Sequence, residues 1–443
     1  MKAKSVLPRH SADSVVAVRN GEIIDARRFY RDFAWWSQRL PDRPYVVNIC
    51  EDKYLFFVGL VTAAARGQIT LLPHSTAPEA FAATIQQFEG VTCLADCAPP
   101  VSGLDILDMR EDPGDATPME PFIPAERTVA ITFTSGSTGV PSGHPKTWGF
   151  LMASASIIGS RLGSICQDGF TAVSTVPHQH MYGLEHSICA PLKLGGSFHA
   201  GRPFLPDDIR AALSASPRPR ALVTTPPHLR ACLTENGSFP ELDFIVSATA
   251  PLDKETALAV EKLFSCRLLE IYGCTEAGSI ASRQTARESL WKTLDGLSVT
   301  ENQGEAFAVA THLPGPIPLA DIMDIRGPET FSIRGRIADM VKVGGKRVAL
   351  GDLNHHLVEI PGVVDGVYFA PDGLDENNGR LVAFVAEPSV SNETILSHLR
   401  KWIDPVFMPR RIYRVESLPR EKTGKIPRSE LVRLAAEAKK RCG

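Results

Sequence analysis

Over the first 335 residues, short runs of apolar and β-branched residues alternate with stretches long enough for a helix. Candidate strands are VVNIC (46–50), TVAITFT (128–134), FTAVSTV (170–176), ALVTT (221–225), FIVSATA (244–250) and RLLEIYG (267–273). Strands spaced this way are joined by crossovers, which favours a mainly parallel sheet flanked by helices, an α/β fold with its functional loops at strand ends. The apolar run from Tyr54 to Ala65 suits a packed helix and is too short to span a bilayer. After Arg336 the texture changes. MVKVGGKRVAL (340–350) reads as a hairpin turning at Gly344 and Gly345, GVYFAP and RLVAFVAEP as short strands, and TILSHLRKWI as an amphipathic helix. The expectation is a large core over residues 1–336 and a small α+β domain over 337–443.

Charge and cysteine usage narrow the class. The 443-residue chain carries a net charge of −3, so nothing in the total points to nucleic-acid binding. The N-terminal MKAKSVLPRH lacks the apolar stretch of a secretion signal. Nine cysteines, none at CxxC spacing, suggest free thiols in a reducing cytoplasm rather than disulfides or a zinc ribbon. The charge is uneven: from Arg400 to Gly443 there are thirteen Lys and Arg against five Asp and Glu. A basic segment on an acidic body suggests a module with its own partner, against the plainer reading of a solvated helix face.

Four motifs carry chemistry. In TFTSGSTGVPSGHPK (132–146), a strand runs into Thr134, Ser135, Gly136, Ser137, Thr138 and Gly139, whose hydroxyls and unhindered amides suit phosphate oxygens. The pattern is not the P-loop, since no GxxxxGK[ST] is present. IYGCTEAG (271–278) offers a ring at Tyr272, a glycine turn at Gly273, a hydroxyl at Thr275 and a carboxylate at Glu276 suited to Mg²⁺. Asp321 and Arg336 bracket a stretch that suits a carboxylate for ribose hydroxyls with a cation nearby, and LPREKTGKIPRSEL (418–431) sets Lys425 after a Thr-Gly turn.

With these residues in this order, the chain resembles the adenylate-forming superfamily: acyl- and aryl-CoA synthetases, luciferases and nonribosomal-peptide adenylation domains. Its shorter length makes it similar to compact bacterial ligases that prime carrier proteins in aryl-polyene and xanthomonadin-type pathways. The resemblance implies ATP and Mg²⁺ as cofactors and a C-terminal lid hinged near Ala338, with the active site between the domains. It also implies roles. Thr134 to Gly139 would contact pyrophosphate, Thr249, Ala250 and Tyr272 adenine, Thr275 the α-phosphate, Glu276 the metal, and Asp321 with Arg336 the ribose. Lys425 would bridge carboxylate, ribose and α-phosphate in the first step. His180, in the His-x-x-Gly of HMYG, would gate the acyl carbonyl, with His178 the alternative. Ser142 stands where the family usually has a lysine, and Lys146 is the stand-in.

The resulting expectation is an AMP-forming acid–thiol ligase that makes an acyl or aryl adenylate and passes the acyl group to a phosphopantetheine thiol. The substrate expected is a small planar acid resembling 4-hydroxybenzoate, with His180, Tyr182, Ala248 and Thr249 shaping the pocket. The acceptor expected is an acyl carrier protein rather than CoA, met by Gly344, Gly345, Arg410 and Arg411. Two alternatives stay open, a medium-chain fatty acyl-CoA synthetase and a non-catalytic nucleotide-binding homologue. Two His/Glu clusters, one at His178, His180, Glu185 and His186 and one at His355, His356 and Glu359, lack a zinc spacing, and Cys274 reads as apolar filler.

Overall fold

The computed structural model describes residues 4–134, 141–162, 168–235, 237–336, 340–343, 346–371, 381–386, 389–401, 403–420 and 426–441. Ser135 to Gly139, Ala338, Gly344, Gly345 and Lys425 lie outside the described residues. The chain divides into two compact units: Met1–Ser298 with Val309–Ile317, and Val299–Ala308 with Pro318–Gly443.

Apart from a two-stranded pair of Lys4–Ser5 and Phe122–Ile123, the first unit is an α/β body built on two large sheets. One runs in the order Ser142–Thr147, Thr128–Thr134, Ile69–Leu72, Tyr45–Asn48, Val91–Ala95, Asp105–Asp108, parallel throughout except for the first strand. The other has a parallel centre ordered Arg267–Cys274, Phe244–Ser247, Arg220–Thr224, Thr171–Ser174, Ser197–His199, Val15–Arg19. Antiparallel strands flank this centre, Glu22–Asp25 at one side and Gly278–Arg283, which pairs onward with Trp291–Thr293, at the other.

The helix Lys53–Ala65 shows why the apolar run folds as it does. Twelve of its thirteen residues are buried, as expected for a helix apolar on every face. Asp52 caps it, its carboxylate accepting from the amides of Tyr54 (2.9 Å) and Leu55 (3.1 Å). The one polar residue of VVNIC also has a structural use. Asn48 donates to the Phe56 carbonyl at 3.0 Å and accepts from the Cys50 amide at 3.2 Å, tying strand to helix. A Cβ at Gly59 would lie 2.9 Å from the Asn48 amide nitrogen and 2.7 Å from Leu94, so helix and sheet touch there only through glycine.

Two strands differ from expectation. FIVSATA stops at Ser247, because Thr249 takes a left-handed φ of +78° that no strand continues. PSGHPK, to which the sequence reading assigns no element, forms the strand Ser142–Thr147, running back along Thr128–Thr134 with His144 opposite Thr132. It is an edge strand, where Pro145 costs no ladder hydrogen bond on the open side.

In the second unit, Asp321–Gly327 and Thr330–Arg336 form an antiparallel pair whose register sets Asp321 opposite Arg336. Met340–Val343 and Lys346–Ala349 pair as the expected hairpin. A small sheet, Asp365–Phe369, Val382–Ala386 and Arg411–Val415, buries one face under Leu353, Leu357, Ile395 and Leu399. On its other face Phe369 and Phe384 pack with Leu431, Leu434, Ala435 and Ala438. These four lie at helical spacing on Arg428–Arg441, so the basic C-terminal helix is amphipathic and docked rather than solvated all round.

Candidate functional site

The first unit brings together four of the motif residues, three from the paired strands Thr128–Thr134 and Ser142–Thr147 and one, Glu276, from a turn of the other sheet. Thr134 ends its strand, and its hydroxyl lies 3.1 Å from His144 Nε2. His144 Nε2 is in turn 3.5 Å from Glu276 Oε1. Lys146, two residues beyond His144 on the same face of the returning strand, donates from Nζ to the Glu276 carbonyl at 2.7 Å. The ammonium also sits 4.6 Å from the Phe150 ring centroid, a cation–π contact. Burial lowers the Lys146 pKa, with Glu185 foremost among the groups that oppose the shift. Burial likewise lowers that of His144, against the pull of Glu276. Lys146 is 3 % exposed and engaged with the Glu276 backbone, so its contact here is with the turn rather than with open space above the loop.

The YGCTEAG segment is a tight strand–turn–strand. Arg267–Cys274 pairs with Gly278–Arg283, and Thr275, Glu276 and Ala277 make the turn. A Cβ on Gly273 would come within 2.3 Å of the Gly278 carbonyl oxygen, so the first glycine is required by the backbones' approach. Gly278 has φ +73°, and a Cβ there would meet Glu185 Oε1 at 2.4 Å. Tyr272 is half-buried, its ring 5.8 Å from that of Trp291. Burial pushes the Cys274 thiol up to about 12, and its sulfur accepts from the Ala277 amide at 3.4 Å. That suits filler and not a nucleophile.

The two gate candidates separate physically. His178 is 2 % exposed, donates from Nε2 to the Cys50 carbonyl at 2.9 Å, and packs edge-on to Phe56. Burial drives its pKa down to about 3. His180 is half-buried at the N-terminus of the short helix Met181–Leu184. Tyr182 donates its hydroxyl to the carbonyls of Val246 (2.9 Å) and Thr224 (3.1 Å), so the ring is fixed while its oxygen is already spent. Ala248 is buried, and Thr249 and Ala250 are half-buried in the segment after Ser247.

Asp321 and Arg336 are register partners in the second unit's hairpin, and Arg410 and Arg411 are exposed at the start of its third sheet strand. Sequence reading passed over His144 and read Glu185 only as part of a dismissed metal cluster. The His-x-Lys alternation on a strand was the available signal for the first.

The family model of AMP-binding enzymes matches residues 39–303. The chain belongs to that family. This AMP-binding enzyme is 31% identical over 243 residues to a 4-coumarate–CoA ligase of Rhodobacter capsulatus, covering 54% of this chain and 60% of that protein. It is 29% identical over 337 residues to a 4-coumarate–CoA ligase of Halorhodospira halophila, covering 72% and 79%. The chain thus spans about three-fifths of the first relative's length. In fold it is similar to o-succinylbenzoate CoA synthetase of Bacillus subtilis solved with its acyl-adenylate intermediate, with a TM-score of 0.82, 14% identity and coverage of 97% and 98%. It is also similar to the anthranilate CoA ligase AuaEII solved with anthranoyl-AMP, at 0.80 and 16% over 98% and 97%. The α/β fold and the adenylate-forming family expected from the motifs are therefore met. Among the described residues, no helix is long and apolar enough to cross a membrane.

Proposed function

We propose that this AMP-binding enzyme is an AMP-forming acid–thiol ligase. The observation that carries the reading is the chain of contacts that links Thr134 through His144 to Glu276, with Lys146 on the Glu276 carbonyl, within a chain of this family. In the first half-reaction a carboxylate oxygen attacks the α-phosphorus of ATP, and pyrophosphate leaves. In the second, a pantetheine thiol attacks the carbonyl of the mixed anhydride; the C–O bond breaks, AMP leaves, and the thiol proton passes to solvent or phosphate.

The chain's residues have separable tasks in this scheme. Thr134 and the amides of Ser135 to Gly139 hold the departing pyrophosphate. Tyr272, Gly273, Thr249 and Ala250 hold adenine, Thr275 the α-phosphate, and Asp321 with Arg336 the ribose. Lys425 offsets the charge that develops around the α-phosphate. Glu276 suits Mg²⁺: its side chain is 36% exposed beside the Thr134–His144 pair, and magnesium is ordinarily held by one or two carboxylates plus waters and phosphates. When bound, the metal supplies Lewis-acid charge to the phosphate oxygens. A core over 1–336 and a lid over 337–443, hinged near Ala338, would let Lys425 serve the first step and Gly344 and Gly345 the second.

The pocket reading favours a small planar acid such as 4-hydroxybenzoate. His180 and the fixed ring of Tyr182 supply flat walls, and Ala248 and Thr249 add bulk at its floor. Thr249 is β-branched at φ +78°, a conformation that carries about 1–3 kcal/mol of strain. Thr249→Gly should therefore raise the urea midpoint and broaden turnover toward bulkier acids. A lower midpoint with an unchanged acid spectrum would remove Thr249 from the pocket wall.

For the acceptor we favour an acyl carrier protein, because Arg410 and Arg411 are exposed in the basic segment while Arg414 and Arg420 are tied to Val390 and Asp365. The relatives' names favour a second reading, free CoA. Pyrophosphate release with aromatic and aliphatic acids, followed by thiolation of carrier protein and of CoA at two salt concentrations, tests both points. The expected result is 4-hydroxybenzoate ahead of decanoate and a salt-sensitive preference for carrier protein. Faster decanoate turnover, or CoA used equally well without a salt effect, would overturn the respective assignment.

A further inference from the structure

Glu185 is 1% exposed, yet it is ringed by hydrogen-bond donors from far along the chain. Its carboxylate accepts from the Ser279 amide at 3.1 Å, from the Ser279 hydroxyl at 2.9 Å, and from the Ser154 hydroxyl. Ser279 is 94 residues away and is the second residue after the Thr275–Ala277 turn. The Ser279 hydroxyl is also 2.9 Å from His186 Nε2, so His186 donates there while the hydroxyl's own proton goes to Glu185. Burial drives the His186 pKa down to about 3, which keeps it neutral in that role.

The backbone around Glu185 is unusual too. Residues Glu185–Cys189 form a π-helical turn, closed by the Ala190 amide on the Glu185 carbonyl. Such bulges recur at functional sites, where they re-aim a side chain. Here the aim leaves no slack, because Gly278 meets the carboxylate where any Cβ would lie 2.4 Å from Oε1.

On the other side of the same turn, Lys146 holds the Glu276 carbonyl at 2.7 Å. A buried carboxyl group and a buried amine therefore grip the same turn, one at the amide of residue 279 and the other at the carbonyl of residue 276, and burial shifts both toward their neutral forms. Each also offsets the other's charge across the site. Neither isolated charge would be tolerated so deep without the other or a comparable partner. For fold stability alone an apolar pair would serve as well.

We propose that Glu185 and Lys146 are a coupled pair of positioning residues that fix the Thr275–Ala277 turn, and with it the Glu276 carboxylate, for the metal–nucleotide. This rests on the reading of Glu276 and Thr275 as the metal and α-phosphate residues. It assigns Lys146 to the turn rather than to pyrophosphate, and it gives Glu185 a part in the reaction without contact to substrate. Residues that orient a metal ligand in this way typically account for 10–100-fold in affinity or activity.

The test is calorimetric binding of ATP with Mg²⁺ to the full-length protein, beside urea unfolding of each variant. Glu185→Gln keeps the shape and loses the charge, and Lys146→Met does the same for the cation. Each should weaken Mg·ATP binding about tenfold. The double variant should be no weaker than the worse single, since the two act as one unit. Ser279→Ala removes one hydroxyl from the same link and should weaken binding in the same direction, which keeps the test alive if Glu185→Gln does not fold. Variants with a lowered urea midpoint but wild-type Mg·ATP affinity would reduce the pair to a fold-stabilising role and overturn the proposal. Wild-type protein that fails to bind Mg·ATP would overturn the nucleotide reading as well, so the two failures are distinguishable.

Discussion

Lys425→Ala is expected to lower carboxylate-dependent pyrophosphate release by about 10²–10³-fold, the usual loss when one preorganised charge or donor is removed from a developing anion. The same variant should thiolate a supplied acyl adenylate at close to the wild-type rate. The asymmetry follows from where charge builds. In the first half-reaction the α-phosphate becomes crowded with oxygen charge between an incoming carboxylate and outgoing pyrophosphate. In the second, attack falls on the acyl carbon, and AMP leaves as a stable phosphate monoester that needs less help. Stopped-flow assays of the two half-reactions separate them. Equal losses in both would remove Lys425 from the α-phosphate and leave it a general structural role.

Gly183→Ala should be the most damaging single methyl group in the first unit. A Cβ at that position would stand 2.0 Å from the Pro177 carbonyl oxygen and 3.0 Å from the His178 Cα. That oxygen already accepts from the His180 amide at 3.3 Å, and the His180 carbonyl accepts from the Leu184 amide at 2.8 Å. The loop 177–180 thus folds directly over the helix that follows it, and glycine is what lets them touch. Overpacking a site with no soft neighbour costs 1–3 kcal/mol and upward, so about 3 kcal/mol is expected here. Where the protein still folds, His180 must move, and pyrophosphate release should fall at least about 100-fold. A urea midpoint and rate equal to wild type would show that the segment can shift freely and that His180 is not held for a purpose.

The same residues show what the sequence could and could not reveal. TVAITFT was legible to its ends, because alternation and the following Ser/Gly/Thr run are local signals. The first glycines of YGCTE and HMYG also point to close backbone approach by local logic, and the structure supplies the colliding atoms. Lys146 was legible as a functional cation but not as to its partner. Proline is a poor strand signal, and the edge position of the strand Ser142–Thr147 is what reconciles Pro145 with a sheet. Choosing between His178 and His180 needed burial, since both lie in one tetrapeptide of similar composition. Glu185 was read with its chain neighbours as a weak metal cluster, whereas its partner Ser279 comes from the strand Gly278–Arg283, 94 residues on. Long-range pairing of that kind leaves no periodic trace in one sequence.

The central claim is that this AMP-binding enzyme activates a carboxylate by attack on the α-phosphorus of ATP. Carboxylate-dependent exchange of labelled pyrophosphate into ATP, with Mg²⁺ present and every thiol acceptor omitted, measures that step alone. The account predicts exchange that appears only when an acid is added, is fastest with small aromatic acids, and collapses in Lys425→Ala. Protein that binds Mg·ATP yet exchanges no pyrophosphate with any aromatic or aliphatic acid would contradict it, leaving a nucleotide-binding protein without the ligase reaction.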